Sequence, residues 1–161
     1  MNSVEIRRVV DTDWPGLWEI WHEVVAAGES YDNAPDSTEA DARAHWQFQE
    51  VWVAVEGDDV LGTYKVGPNK GRLGAHVANA SFMVSSRARG RGLGRILGEH
   101  CLDRARALGY TAMQFNAVVS TNTVAVRLWR SLGFIIVGTI PDGFQSTRHG
   151  LVDFHIMHRY L

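Results

Sequence analysis

Three glycines and four arginines fall within nine residues, from Arg87 to Arg95, in the stretch Phe82-Met83-Val84-Ser85-Ser86-Arg87-Ala88-Arg89-Gly90-Arg91-Gly92-Leu93-Gly94-Arg95. A β-rich run leads into this turn and a helical pattern leaves it. Glycines at alternate positions let the backbone approach a ligand closely and take up positive φ. The first turn of a helix has unpaired amide N–H groups and the positive end of the helix dipole, so it attracts an anion. Arg89, Arg91 and Arg95 add guanidinium groups suited to a pyrophosphate. Two other phosphate loops are excluded by spelling. No G-x-x-x-x-G-K-[ST] occurs, and the position completing G-x-G-x-x-G after Gly90 and Gly92 holds Arg95. The bland alternative is a tight strand–helix turn with solvated arginines.

The elements that must position this turn follow from periodicity and punctuation. Val4 to Val10 reads as a strand. Asp11 and Asp13 offer N-caps, Pro15 suits a first helical turn, and Leu17, Ile20, Trp21, Val24 and Val25 recur at helical spacing until Gly28. Ser37 or Thr38 caps a second helix, with Asp41 in capping-box position. Val51 to Glu56 and Val60 to Val66 form a hairpin around Gly57-Asp58-Asp59. A loop spans Gly67 to Gly74. His76 to Ser85 is a strand, Gly92 to Leu108 a helix, Tyr110 to Val119 a strand. A helix from Thr121 or Asn122 to Gly133, then strands Phe134 to Thr139 and Leu151 to Arg159, close the chain. The order β-α-α-β-β-β-α-β-α-β-β, without repeats or linkers, predicts one α/β domain over 1–161 with a mixed sheet.

Composition narrows the class. A chain of 161 residues accommodates one core, and 45% hydrophobic with 21% charged residues is an ordinary globular balance. A net charge of -2 argues against a dedicated nucleic-acid binder. The apolar runs are far shorter than the roughly 20 residues that cross a bilayer. The start Met1-Asn2-Ser3-Val4-Glu5 has no apolar signal region, and the single Cys101 demands no oxidising compartment, so a cytoplasmic protein is expected.

The pattern R-x-x-G-x-G, spelled here by Arg89, Gly92 and Gly94 after a strand, resembles the acetyl-CoA signature of the GCN5-related N-acetyltransferase (GNAT) superfamily. A second block, Asn122-Thr-Val-Ala125-Val-Arg-Leu128-Trp129-Arg-Ser-Leu-Gly133-Phe134, resembles the helix and strand N-x-x-A-x-x-L-[Y/W]-x-x-x-G-F of that family. Gly28-Glu29-Ser30-Tyr31 and the tail Gly150-Leu-Val-Asp153-Phe-His-Ile-Met157 resemble its amino-acid and phosphinothricin acetyltransferase branch. The resemblance spans the chain. It implies a mostly antiparallel twisted sheet flanked by helices and splayed between strands 76–85 and 110–119. Acetyl-CoA would lie in the splay as co-substrate, its pantetheine arm on the backbone near Met83 and Val84. Its pyrophosphate would rest on Arg89, Gly90, Arg91, Gly92, Leu93, Gly94 and Arg95, with Asn122 and Trp129 flanking the thioester. Many relatives are dimers, so a homodimer is expected.

Acetyl transfer to an amine needs a neutral amine, a stabilised oxyanion and a departing thiolate. Positioning in a ternary complex supplies several kcal/mol of this, and a backbone N–H at or beside Val84 is the natural oxyanion donor. The family often has a tyrosine acid where this chain has Trp129, whose indole N–H donates a hydrogen bond but no proton. Water, or Tyr31, Tyr64 or Tyr110, offers an alternative, and a thiolate can also leave unaided. Glu29, His76 and His155 are the base candidates, with Asp153 and His155 on one strand face as a pair either catalytic or structural. Glu29, Tyr31 and Arg148 would receive the acceptor, Arg148 holding a carboxylate. Cys101, deep in a helix, is expected to be a buried hydrophobe rather than a nucleophile. No Cys/His cluster has metal-ligand spacing, so no metal is expected. The leading expectation is an N-acetyltransferase for a small amine, with a protein or peptide N-acetyltransferase and a silent CoA-binding module as alternatives.

Overall fold

The computed structural model describes residues 3–161. Seven strands build one mixed sheet, and four helices flank it. In chain order they are β1 (Glu5–Arg8), α1 (Trp14–Ala26), α2 (Glu39–His45), β2 (Glu50–Glu56), β3 (Asp59–Pro68), β4 (Val77–Val84), α3 (Leu93–Ala107), β5 (Ala112–Val119), α4 (Thr123–Ser131), β6 (Ile135–Ser146) and β7 (Gly150–Tyr160). The strand order is β1-β2-β3-β4-β5-β7-β6, with every neighbouring pair antiparallel except β4–β5. Element order and sheet type match the expectation.

Strand alternation sorts side chains onto two faces. Val51, Val53, Val55 and Met83 face α1 and α2, where Leu17, Ile20, Trp21 and Trp46 complete one core. Ala54, Tyr64, Met113, Phe115 and Met157 face α3 and α4, where Leu97, Cys101 and Trp129 complete the other. The tryptophan stripe of α1 belongs to the first core: Trp21 is buried in it, and Trp14 and Trp18 pack on its rim.

Several local expectations are corrected. Asp13 does not cap α1 with its side chain. Its carboxylate accepts instead from Val10 N (2.8 Å) and both Arg7 terminal nitrogens (2.8 Å each), which ends β1 early and ties it to the helix start. Thr38 and Asp41 do form the capping box of α2. The strand expected over Phe134 to Thr139 instead continues to Ser146 through a bulge, with Asp142 at φ 51°. Asp142 N donates to Asp153 Oδ1 (3.0 Å), whereas His155 Nδ1 meets Thr139 Oγ1 (2.9 Å), so Asp153 and His155 do not pair with each other.

Glu50 pins α3 to the sheet. Its carboxylate accepts from Arg104 Nη2 (2.9 Å) of α3 and Trp52 Nε1 (2.8 Å), and Arg8 Nη1 lies 3.1 Å away. Burial alone would raise its pKa, but hydrogen bonds from Arg104 and Trp52 and the two guanidinium charges outweigh that and lower it. Such a carboxylate stabilises the fold above the ordinary glutamate value of 4.5, and the contribution is lost as pH falls through the depressed folded-state value. The arginines are partly exposed, so the Glu50→Gln variant should lose about 2 kcal/mol in urea unfolding at neutral pH. It should also lose less further stability on acidification than the wild type. Equal stability and equal acid sensitivity would show that Glu50 pins nothing.

Candidate active site

Strands β4 and β5 pair only at Val77↔Ala112 and Ala78↔Met113 and then diverge. A bulge in β5 between Phe115 and Val118 accompanies the parting. The gap is a cleft of about 640 Å³ that runs through the sheet. On the α3/α4 face its wall includes Phe82, Phe115 and Trp129, with ring centroids 4.8 Å (Phe82–Trp129) and 4.7 Å (Phe115–Trp129) apart. Lys65, Asn79 and Ser81 line it on the α1/α2 face, with His45 from the end of α2 and Tyr31, Asp32 and Phe48 from the loops on either side of it.

Divergence leaves one edge of β4 without a ladder partner. Ser85 N donates to Leu61 O of β3 (2.9 Å), so by alternation the neighbouring Val84 N–H points away from β3, toward the cleft. Phe82 has the same orientation, and Tyr31 satisfies it: the Tyr31 hydroxyl donates to Phe82 O (2.7 Å) and accepts from Phe82 N (3.1 Å). Burial pushes the Tyr31 pKa up, so this hydroxyl stays neutral. Val84 N–H is therefore the open donor next along the strand.

The glycine turn follows directly. Gly90 (φ 74°) and Gly92 (φ 72°) adopt left-handed backbone. Among the described residues the amides of Gly90, Gly92, Leu93 and Gly94 have no protein acceptor, which makes a nest for an anion. The Leu93 side chain is buried in the core, and a Cβ on Gly94 would lie 3.2 Å from Leu128, so Gly94 serves the close approach of α3 to α4. Arg91 is held by Glu56 (2.8 Å), and Arg95 by Ser131 (2.6 Å) and Glu99 (3.3 Å). Among the described residues the Arg89 side chain has no such partner.

At the far rim, Asn122 caps α4, its Oδ1 accepting from Ala125 N (3.3 Å). The indole N–H of Trp129 has no protein partner among the described residues, although the residue is only 8% exposed. Met83, a cradle neighbour by sequence, turns its side chain into the α1/α2 core and offers the cleft mainly its backbone.

Of the residues singled out by sequence, the cleft brings together Tyr31, Met83, Val84, Asn122 and Trp129, and the arginine–glycine turn lies at the end of β4. Glu29, His76 and Arg148 are not among its lining residues. The Glu29 carboxylate accepts from Ser146 Oγ (2.6 Å), Thr147 Oγ1 (2.6 Å) and Arg148 N (2.8 Å). Hydrogen bonds from Ser146 and Thr147 lower its pKa. It thus ties the end of α1 to the β6–β7 hairpin, and Arg148 takes part through its backbone. His76 precedes β4 at the closed end of the splay, where its carbonyl accepts from Thr111 N (3.0 Å). Cys101 is sealed in the core, which pushes its thiol pKa up.

The cleft also holds residues that motif reading passed over. Lys65 interrupts the buried run of β3, and His45 ends α2. Lys65 Nζ donates to the His45 carbonyl (2.6 Å) and lies 5.2 Å from the Trp46 ring centroid. Burial lowers the His45 imidazole below its ordinary 6.5, the Lys65 charge adds to this, and Asp32 partly opposes it. His45 is accordingly neutral at neutral pH. A lone charged residue inside an apolar strand run was the available signal for Lys65; nothing in the sequence marked His45. Among the described residues no cluster of three or more His, Cys, Asp or Glu could hold a metal, and no helix is long and apolar enough to cross a membrane.

A family model described as Acetyltransferase (GNAT) family matches residues 14–134. The N-acetyltransferase aca1 of Schizosaccharomyces pombe is 36% identical over 98 residues, which are 60% of this chain and 47% of that protein's length. The L-methionine sulfoximine/L-methionine sulfone acetyltransferase of Pseudomonas paraeruginosa is 31% identical over 153 residues, covering 89% of this chain and 87% of that one. Among solved structures, a GCN5-related N-acetyltransferase from Kribbella flavida superposes with a TM-score of 0.93 at 48% identity, covering 98% of each chain. The protein yncA of Salmonella typhimurium, solved with its cofactor acetyl-CoA, has a TM-score of 0.84 at 25% identity over 99% of this chain and 94% of that one.

The cradle geometry depends on Gly92. An alanine there is forced into left-handed backbone, and Gly92→Ala should cost about 1 kcal/mol of stability. It should also weaken the binding of inorganic pyrophosphate measured by calorimetry. Unchanged affinity in the folded variant would mean that the nest does not bind the anion.

Proposed function

Because the chain belongs to the acetyltransferase (GNAT) family, we propose that it moves an acetyl group from acetyl-CoA to the primary amine of a small, amino-acid-like acceptor by direct attack in a ternary complex. The observation that carries this reading is the through-sheet cleft, lined by Val84 with its open N–H and by polar groups of the α1/α2 face, with the glycine turn just beyond the end of β4. The Pseudomonas relative, named for two amino-acid analogues, supports the acceptor class. A structural neighbour solved with acetyl-CoA supports the donor. We place the enzyme in the cytoplasm, which supplies that donor.

In this reading the amides of Gly90, Gly92, Leu93 and Gly94 take the pyrophosphate, with Arg89, Arg91 and Arg95 balancing its charge. Met83 and Val84 offer strand-like backbone partners to the pantetheine arm, and Asn122 and Trp129 flank it. Acetyl-CoA supplies the activated acyl group. Val84 N–H donates to the oxygen on which negative charge develops. The acceptor enters from the α1/α2 face beside Tyr31. Neutral His45 accepts the ammonium proton; His76 is too far toward the closed end, and Glu29, held by its hydrogen bonds, positions the pocket wall. Trp129 donates a hydrogen bond to the sulfur, and the thiolate leaves unprotonated, as a thiol of pKa about 8.5 permits.

The test follows thiol release from acetyl-CoA across amino acids, polyamines and short peptides. Acceptor-dependent release with small amino acids is expected. The acid limb of kcat/KM should fall below pH 6.5, where His45 charges. His45→Gln should cost about 100-fold in kcat/KM and remove that limb. Tight CoA binding without turnover on any acceptor would establish a silent binding module instead.

We also propose a homodimer. Among the described residues no helix covers the face of β6 and β7 opposite α3 and α4, and Ile135 (62% exposed) and Tyr160 (80%) stand on it. Its Phe154 lines the cleft, so a second copy there would extend the acceptor wall. Sedimentation equilibrium should give twice 17.9 kDa, with Ile135→Lys reverting the chain to a monomer. A monomeric wild type at tens of micromolar would remove the proposal.

A further inference from the structure

Lys65 is half-buried on the α1/α2 face of β3, over Trp46, which is 2% exposed. Burying an ammonium group without a counter-charge is costly. Lys65 nevertheless forms no ion pair with any carboxylate among the described residues. One Nζ donor goes to the His45 carbonyl at 2.6 Å, and the aromatic faces of Trp46 (5.2 Å) and Phe48 (5.4 Å) support the charge. An ammonium has three donors. The remaining capacity belongs to a side chain that lines the cleft.

Register gives its place relative to the chemistry. Lys65 sits opposite Ser81 in the β3–β4 ladder. Ser81 is three residues before Val84, about 10 Å along an extended strand. The four-carbon stem of Lys65 and the body of a small amino acid together bridge that distance. Arg148, the carboxylate partner expected from sequence, lies outside the lining, and Lys65 is the one lysine or arginine within it. Burial also lowers the Lys65 pKa, the signature of a charge still short of a counter-ion.

We infer that Lys65 anchors a carboxylate of the acceptor, so that the pocket selects amines that also carry a carboxylate. This rests on the transfer reading for the position of the amine and on the geometry around Lys65 for the anchor. The carboxylate takes Nζ donors left over from the His45 carbonyl, and the aromatic rings keep water from competing. A carboxamide of the same shape supplies no charge and leaves the lysine uncompensated, which sets the discrimination.

The experiment compares L-amino acids with their carboxamides, by calorimetry on CoA-loaded protein and by thiol release. Wild type should favour acids by about tenfold or more, as a charge-assisted hydrogen bond allows, with the difference in KM rather than kcat. Lys65→Met should abolish the preference, Lys65→Arg should retain it, and Lys65→Gln serves if the Met variant fails to fold. A wild type indifferent to the carboxylate, or a Lys65→Met enzyme that still prefers acids, overturns the anchor. Selective binding that depends on Lys65 without turnover of any acceptor would sustain the anchor and sink the transfer reading.

Discussion

The parting of β4 from β5 is the constraint on which the rest of the molecule turns. Two parallel strands need a crossover, here α3, which leaves the end of β4 and returns to the start of β5. The strands hold together at the return, at Ala78↔Met113, and open where α3 begins. The unpaired N-terminus of α3 and the unpaired edge of β4 therefore meet at one mouth without further arrangement. Helix α4 leaves β5 at the same mouth, so its capped N-terminus at Asn122 joins them. Two helix dipoles and a row of backbone groups converge on a single gap because of one topological fact.

Alternation then divides the gap into two unlike halves. Successive residues of β4 point to opposite faces, so Phe82 joins Phe115 and Trp129 while Ser81 and Met83 turn toward α1 and α2. An aromatic, nearly dry wall stands on one side and a polar one with Lys65, His45 and Asp32 on the other. Trp129, packed against two phenylalanine rings, brings bulk and a single N–H where a hydroxyl would bring acidity. In the proposed reaction the one side chain that takes a proton, His45, therefore belongs to the polar wall.

Much of the architecture was legible because period and punctuation are local: the helical spacing of α1, the Thr38–Asp41 box and the glycine turn each form as spelled. The failures share a physical reason, which is that tertiary partners overrode local signals. Asp13 reads as a cap, but Arg7, six residues earlier on β1, claimed its carboxylate. The strand expected to end at Thr139 was carried on to Ser146 by pairing with β7. The backbone half of the site was legible from its glycines and arginines. The side-chain half was not: Glu29 belongs to a pocket-forming segment yet spends its carboxylate on residues 117 to 119 positions away. Lys65 and His45 become neighbours only once β3 and α2 are packed.

A sheet open in its middle is exposed to a hazard usually confined to its margins: an unpaired strand edge invites any extended chain to add to it. Tyr31 meets that hazard with one atom. Its hydroxyl takes both the N–H and the C=O of Phe82, so the ladder along β4 is interrupted halfway. A foreign strand cannot zip through the gap, because the run of consecutive backbone partners it would need is broken. The opening that makes ligand binding possible is thereby kept from becoming a seed for self-association.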